Sequence, residues 1–359
     1  LNTELYHKDD LRSLYCGDSR TMPQVESETV QCVVTSPPYW NQRKYEGEEM
    51  LIWGGDRDCP HVFDRAAGRN DFCPTCGAWR GVFGLEPTPQ LYIEHSMIFL
   101  QEIWRVLRPD GVVFWNIADT YASGKGSCYN PGGGENSFGK TAKHAGAYPL
   151  ERGNISDLRK AGLKPKDLCL VPERFVLEAL KNGWYIRGDV IWFKTNHKPE
   201  SVKDRPTKSH EYIYILTKSQ RYHWDAEAIK EPSRRPGEVG HYGGRKYSNW
   251  EIPPDDPTYR NGHEQWHHDI KTNEMRNARS VWPISNETYK EAHFATFPVR
   301  LAEKCLLAGS RPGDLVLDPF AGSGTTLITA TLLGRRSIGY EISRKYCALA
   351  IKRSGQMKF

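Results

Sequence analysis

The chain alternates between short β-branched runs and longer stretches of helical spacing. Residues 30–34, Val-Gln-Cys-Val-Val, read as a buried strand. Residues 11–16 read as another, ending at Gly17-Asp18. Over residues 92–107 the apolar positions Ile93, Met97, Leu100, Trp104 and Leu107 share one side of a helix, which Arg108-Pro109-Asp110-Gly111 should terminate. Residues 112–117 form a further buried strand. A helix follows at 172–182, then a strand pair at 184–194 and 211–217. Towards the end come a helix at 299–308, a strand at 314–318, a helix through Leu333 and a strand at 336–341. Strands alternating with helices define an α/β protein.

Three stretches break this rhythm. Residues 121–165 are glycine-rich and carry Lys125, Lys140, Lys143, Lys160 and Lys164, as a mobile basic loop tracking phosphates would, or as a solvated insertion would. Residues 225–292 are rich in turn formers and aromatics and suit a small recognition region. Residues 59–76 hold Cys59-Pro-His61, eleven residues, then Cys73-x2-Cys76. Two residues between thiolates let both reach one tetrahedral ion, and three sulfurs with one imidazole form a recognised structural zinc set. The alternative is free thiols in a loop.

Composition adds bounds. A length of 359 residues supports a sizeable core, and the net charge of +5 permits a polyanionic partner without demanding one. No run approaches the ~20 apolar residues of a membrane span, so no membrane association is expected. Nothing at the start reads as a signal peptide. The nine cysteines are an odd number and suit a reducing, intracellular compartment.

The chemistry concentrates at two corners. The strand at 30–34 runs into Thr35-Ser36-Pro37-Pro38-Tyr39-Trp40. Two prolines stop the strand and stiffen the turn, leaving a hydroxyl, bare carbonyls and aromatic faces at a strand's carboxyl end. Such a turn suits a flat molecule bearing an amino group. The strand at 314–318 runs into Asp318-Pro319-Phe320-Ala321-Gly322-Ser323-Gly324-Thr325-Thr326, and the next strand ends in Glu341. Strand, glycine turn, helix, strand and acid are the layout of a nucleoside site, with the acid placed for ribose hydroxyls. The lysine of a phosphate loop and the full G-x-G-x-x-G are both missing, so one adenosine-bearing ligand fits better than a dinucleotide. Asp18 ends a strand, as a ligand contact or a helix cap would.

These two motifs, in this order, resemble the DNA amino-methyltransferases that use S-adenosylmethionine, in their beta arrangement. Residues 205–212 and 293–298 resemble further stretches of that family, and the Cys/His cluster resembles an insertion in some of its members. The resemblance implies a Rossmann-like methyltransferase fold with a mostly parallel seven-stranded sheet and one antiparallel strand. Its core would comprise 1–58, 77–224 and 293–359, with a zinc-knuckle insertion at 59–76 and target recognition at 225–292. It implies catalytic roles for Ser36, Pro37, Pro38 and Tyr39. It implies cofactor contacts for Asp18, Thr35, Thr296, Phe297 and Pro298, for 318–325 (Asp318, Pro319, Phe320, Ala321, Gly322, Ser323, Gly324, Thr325) and for Glu341. Cys59, His61, Cys73 and Cys76 would hold zinc. Serine at the head of the tetrapeptide is similar to cytosine-N4 enzymes, whereas adenine-N6 enzymes mostly carry aspartate. The resemblance also implies double-stranded DNA as the partner, with either one copy or a homodimer acting on it. Methylation of adenine N6 is the nearest alternative. A protein-glutamine or RNA-guanine methyltransferase would place its cofactor loop first, and a non-enzymatic DNA binder would not need that loop.

Overall fold

The structure is a computed structural model and describes residues 3–41, 49–63, 71–122, 161–233, 239–241, 269–271, 274–288 and 295–356. Most of the expected basic loop and part of the expected knuckle therefore lie outside the described residues. Two compact units form, 1–225 with 280–359, and 226–279.

In the larger unit the strands are, in chain order, β1 (Glu4–Lys8), β2 (Arg12–Cys16), β3 (Val30–Thr35), β4 (Leu51–Trp53), β5 (Trp79–Gly81), β6 (Leu107–Ile117), β7 (Tyr185–Phe193) and β8 (His210–Thr217). The smaller unit contributes β9 (Glu231–Pro232), β10 (Val239–His241), β11 (Asp269–Lys271) and β12 (Met275–Arg276). The larger unit resumes with β13 (Val281–Pro283), β14 (Glu287–Thr288), β15 (Ala295–Thr296), β16 (Leu315–Asp318) and β17 (Arg336–Glu341). The helices are α1 (Pro89–Val106), α2 (Val171–Lys181), α3 (Val299–Gly309), α4 (Thr325–Leu332) and α5 (Arg344–Gln356).

The main sheet runs β1-β2-β17-β16-β3-β6-β8-β7-β13. Its central seven strands are the expected mostly parallel set, with β8 antiparallel to both β6 and β7. Two more strands extend the edges: β1 pairs antiparallel with β2, and β13 parallel with β7. Every residue of β3 is buried, because a parallel sheet is covered on both faces and its strands become mostly apolar runs, here interrupted by Gln31.

Helix α1 begins three residues before the apolar periodicity does. Thr88 caps it, its Oγ1 accepting from Leu91 N at 3.2 Å, and Pro89 sits in the first turn, where its missing N–H costs nothing. The Arg108–Gly111 segment does not separate helix from strand as the sequence suggests. β6 already starts at Leu107, paired with Val30, and 108–111 bulge out before Val112 pairs with Cys32. A bulge tolerates Pro109, which has no ladder hydrogen to give. On β6, Trp115 stacks on Phe175 of α2 at 5.0 Å, seating that helix on the sheet.

The smaller unit, among its described residues, holds two antiparallel pairs, β9–β12 and β10–β11. Glu231 accepts from Arg276 Nε at 3.1 Å and Arg279 Nε at 2.6 Å. Ser280 onward belongs to the larger unit, so the smaller one stops short of residue 292.

Candidate active site

Strands β3 and β16 are parallel neighbours, with Cys32 opposite Val316 and Val33 opposite Leu317. Their carboxyl ends therefore emerge side by side, at the edge where open α/β sheets bind ligands. Thr35 and Asp318, 283 residues apart in sequence, meet there: Thr35 Oγ1 donates to Asp318 Oδ1 at 2.7 Å. Thr326 Oγ1 adds a bond to Val34 O at 3.2 Å. Ser36 and Pro38 from the proline corner and the 318–323 loop from the glycine corner line one cavity of about 210 Å³.

The glycine corner is held by backbone amides. Asp318 Oδ1 accepts from Phe320 N at 3.1 Å, Glu341 Oε2 from Gly322 N at 2.8 Å, and Glu341 Oε1 from Ser343 N at 2.8 Å. Gly324 opens α4 at φ +78°, and a Cβ there would lie 2.9 Å from Ala350 Cβ, so only glycine suits both the turn and the packing. Arg353 Nη1 reaches back from α5 to Ser323 Oγ at 3.0 Å and Thr325 Oγ1 at 2.6 Å. Burial pushes the Asp318 carboxyl up to about 6 and the Glu341 carboxyl up to about 7.

The proline corner is held by side chains. Asn116, at the end of β6, donates from Nδ2 to Tyr212 O at 3.0 Å, which turns its Oδ1 towards Ser36 and Tyr39. Ser36 Oγ lies 3.2 Å from that oxygen and 3.1 Å from the Tyr39 hydroxyl. The Tyr39 hydroxyl lies 2.5 Å from Asn116 Oδ1 and 2.7 Å from Glu211 Oε2, so two acceptors share its single proton. Lys194 donates to the other oxygen of Glu211. Tyr92 donates to Pro38 O at 3.0 Å, while the Pro37 carbonyl accepts no hydrogen bond among the described residues. Trp40 is buried beneath, its Nε1 donating to Glu86 O at 2.9 Å. The Glu86 carboxyl, pushed up to about 8 by burial, accepts from Gly84 N at 2.8 Å and pairs with His95, itself pushed down to about 4 by burial.

Of the other expected contacts, Asp18, Phe297, Thr325 and Glu341 line the cavity. Asp18 is tied to Arg20, whose N and Nε donate at 2.9 and 2.7 Å. Pro298 is buried and precedes α3, Gly324 shapes the loop, and Thr35 lies under it. Thr296 falls in β15, with its side chain outside the description. Pro37 and Tyr39 flank the cavity without lining it. Sequence reasoning missed a whole wall: Leu51, Trp53, Val82, Phe83 and Phe99. It also missed Asn116 and Glu211, polar residues at strand ends beside the proline corner, a placement that could have flagged them.

The cavity fits S-adenosylmethionine by its chemistry. Three acids at strand ends, Asp18, Asp318 and Glu341, face it, a close-approach backbone turn floors it, and aromatic side chains wall it. The sheet has the topology of a Rossmann-like fold, and the protein is an S-adenosylmethionine-dependent methyltransferase. The sequence narrows this class: residues 30–352 match the N6/N4 DNA methylase family, and the chain belongs to that family. It is 35% identical to the type II methyltransferase M.SmaI of Serratia marcescens, over 98% of this chain and 94% of that one. It is 31% identical to M.Cfr9I of Citrobacter freundii, over 95% and 87%. Among solved structures, the PvuII DNA methyltransferase (cytosine-N4-specific) shares the fold at a TM-score of 0.56 and 17% identity, covering 98% of this chain and 90% of that one. None of the helices among the described residues is long and apolar enough to cross a membrane.

Proposed function

We propose that this DNA methylase modifies the exocyclic N4 of cytosine in double-stranded DNA. The observation that carries the reading is the Ser36 hydroxyl, where a carboxylate would favour adenine in this family. Asn116 Oδ1 and the Tyr39 oxygen draw the Ser36 proton inward, which leaves hydroxyl lone pairs for an incoming amine. The cytosine-N4 specificity named for the PvuII enzyme of like fold agrees with this reading.

A base inside a duplex must be flipped out, at a cost of a few kcal/mol. Tyr39 offers its ring as a stacking surface, and stacking of about 1–3 kcal/mol per base offsets part of that cost. Ser36 Oγ and the Pro37 carbonyl then accept the two amine hydrogens. Those bonds favour a more pyramidal nitrogen and turn its lone pair towards the glycine corner. Bound S-adenosylmethionine supplies a methyl group on a positively charged sulfur. Asp318 and Glu341 hold the donor side, with Glu341 accepting from ribose hydroxyls and Asp18 lying towards the adenine. Positioning thus supplies most of the rate, and water takes the amine proton. Residues 226–279 are assigned to sequence recognition.

Nucleoside mass spectrometry of DNA treated with the protein and S-adenosylmethionine tests the reading. N4-methyldeoxycytidine is expected. N6-methyldeoxyadenosine as the sole product overturns it.

A further inference from the structure

We propose that Cys59, His61, Cys73 and Cys76 hold one zinc ion, and that this ion clamps the aromatic wall of the donor cavity, so that zinc occupancy sets cofactor affinity. The inference rests on the reading of that cavity as the S-adenosylmethionine site.

The geometry supports the metal first. One ligand atom from each of the four residues lies within 4.8 Å of every other. Cys59 Sγ is 3.6 Å from Cys73 Sγ, and Cys76 Sγ is 3.3 Å from His61 Nδ1. Zinc bonds of about 2.3 Å to sulfur and 2.0 Å to nitrogen, set tetrahedrally, separate ligand atoms by roughly 3.3–3.8 Å. The Cys73–Cys76 turn has the needed curl: Gly77 N donates to Cys73 O at 2.9 Å and Cys73 N to Ala78 O at 2.7 Å. Three thiolates and one imidazole in a tetrahedral set form a donor group that suits zinc. Four protein ligands close the coordination shell, so the ion is structural.

The position of the cluster supplies the coupling. It closes the loop between β4 and β5, two three-residue strands that pair Leu51–Trp53 against Trp79–Gly81. A hairpin that short does not hold itself together in water. The turn leaving β4 packs directly on the cluster: Gly55 stands at φ +74°, and a Cβ there would lie 2.8 Å from Cys76 Sγ and 2.5 Å from Ala78 Cβ. Within the same three-residue strand, Leu51 and Trp53 line the donor cavity, Trp53 only two residues from Gly55. Trp53 is fully buried, its Nε1 donating to Gly81 O at 3.0 Å. The Arg20 guanidinium lies 4.4 Å over the Trp53 ring and bonds both Ile52 O and Asp18, each at 2.7 Å. Fraying of the hairpin therefore removes a cavity wall and the platform that aligns Asp18.

The full chain, purified from zinc-supplemented culture under reducing conditions, is assayed for metal and titrated calorimetrically with S-adenosylhomocysteine. It is then stripped with a chelator, titrated again, reloaded with zinc and titrated once more. One zinc per chain is expected, with a dissociation constant that rises about tenfold on stripping and recovers on reloading. Gly55→Ala keeps all four ligands yet forces a methyl group against Cys76. It should bind zinc more weakly, and its S-adenosylhomocysteine affinity should fall severalfold at limiting zinc and recover at saturating zinc, which keeps the test decisive should the stripped chain unfold. A chain carrying no metal overturns the zinc site. An S-adenosylhomocysteine affinity that stays within twofold when zinc is lost, from Gly55→Ala or from a stripped chain that keeps its fold, overturns the clamp alone. A zinc-loaded chain that fails to bind S-adenosylhomocysteine at all overturns the reading of the cavity, and the clamp with it.

Discussion

The two corners of the cleft hold their polar groups in opposite ways. At the glycine corner, carboxylates take backbone amides: Phe320 N on Asp318, Gly322 N and Ser343 N on Glu341. At the proline corner, Pro37 and Pro38 have no N–H to give, so side chains must hold side chains, through Ser36, Tyr39, Asn116, Glu211 and Lys194. A backbone cradle keeps its shape through most side-chain changes. A side-chain network fails at each member, because every removal leaves a buried partner unsatisfied. Donor binding should therefore be robust except at its carboxylates, and acceptor chemistry should be sensitive to its whole neighbourhood.

The sharpest way to break this contrast is Ser36→Ala. Single-turnover methylation should slow by about a hundredfold, the scale of a lost transition-state hydrogen bond, while S-adenosylhomocysteine affinity stays put. A parallel fall in that affinity would show that the corners do not act separately. Tyr39→Ala comes next. Removing the stacking face should weaken binding of target-containing duplex by about 1–3 kcal/mol, read by fluorescence anisotropy, with the donor affinity within twofold.

On the other corner, Glu341→Gln should raise the donor dissociation constant roughly tenfold and leave DNA affinity unchanged. It should also remove a pH dependence. On the proposed reading the Glu341 carboxyl, raised from 4.5 to about 7, accepts ribose hydroxyls more strongly once it has lost its proton, so donor affinity in the unaltered chain should improve from below pH 7 to above it. The free chain should behave in the reverse sense. A carboxyl raised by folding contributes stability that is full below pH 4.5 and lost as pH climbs through about 7, so the urea midpoint should fall across that window, and fall less in the glutamine variant. The smallest change is Tyr39→Phe, which keeps the ring but deprives Asn116 and Glu211 of a shared donor. A loss of about 1 kcal/mol, seen as a severalfold slower turnover, is expected, and Glu211→Gln should mimic it.

Much of the scaffold could be read from the chain. Val30–Thr35 and Leu315–Asp318 announce themselves because buried parallel strands are built mostly from apolar, β-branched side chains. The acid at Glu341 and the glycine turn follow a layout fixed by nucleoside geometry. What stayed hidden depends on long-range packing. Trp53 lies among turn residues and shows no periodicity; only its stacking on His95 at 4.5 Å and Phe83 at 5.6 Å makes it a wall. Asn116 and Glu211 sit at ends of apolar strands, and their meeting at Tyr39 needs the β6–β8 register that pairs Asn116 with Ile213. The bulge at Arg108–Gly111 looks like a helix stop because proline and glycine serve both purposes.

The Thr35–Asp318 contact has a topological corollary. The two motifs are far apart along the thread but adjacent across the sheet, so which one is encountered first is an accident of where the thread is cut. Strand β1 and the first turn of α5 already touch through the Glu4–Arg344 ion pair. A permuted chain, with α5 joined back to β1 by a linker long enough to span that helix and a fresh break made between the two corners, would meet the glycine motif before the proline motif and still assemble the same cleft.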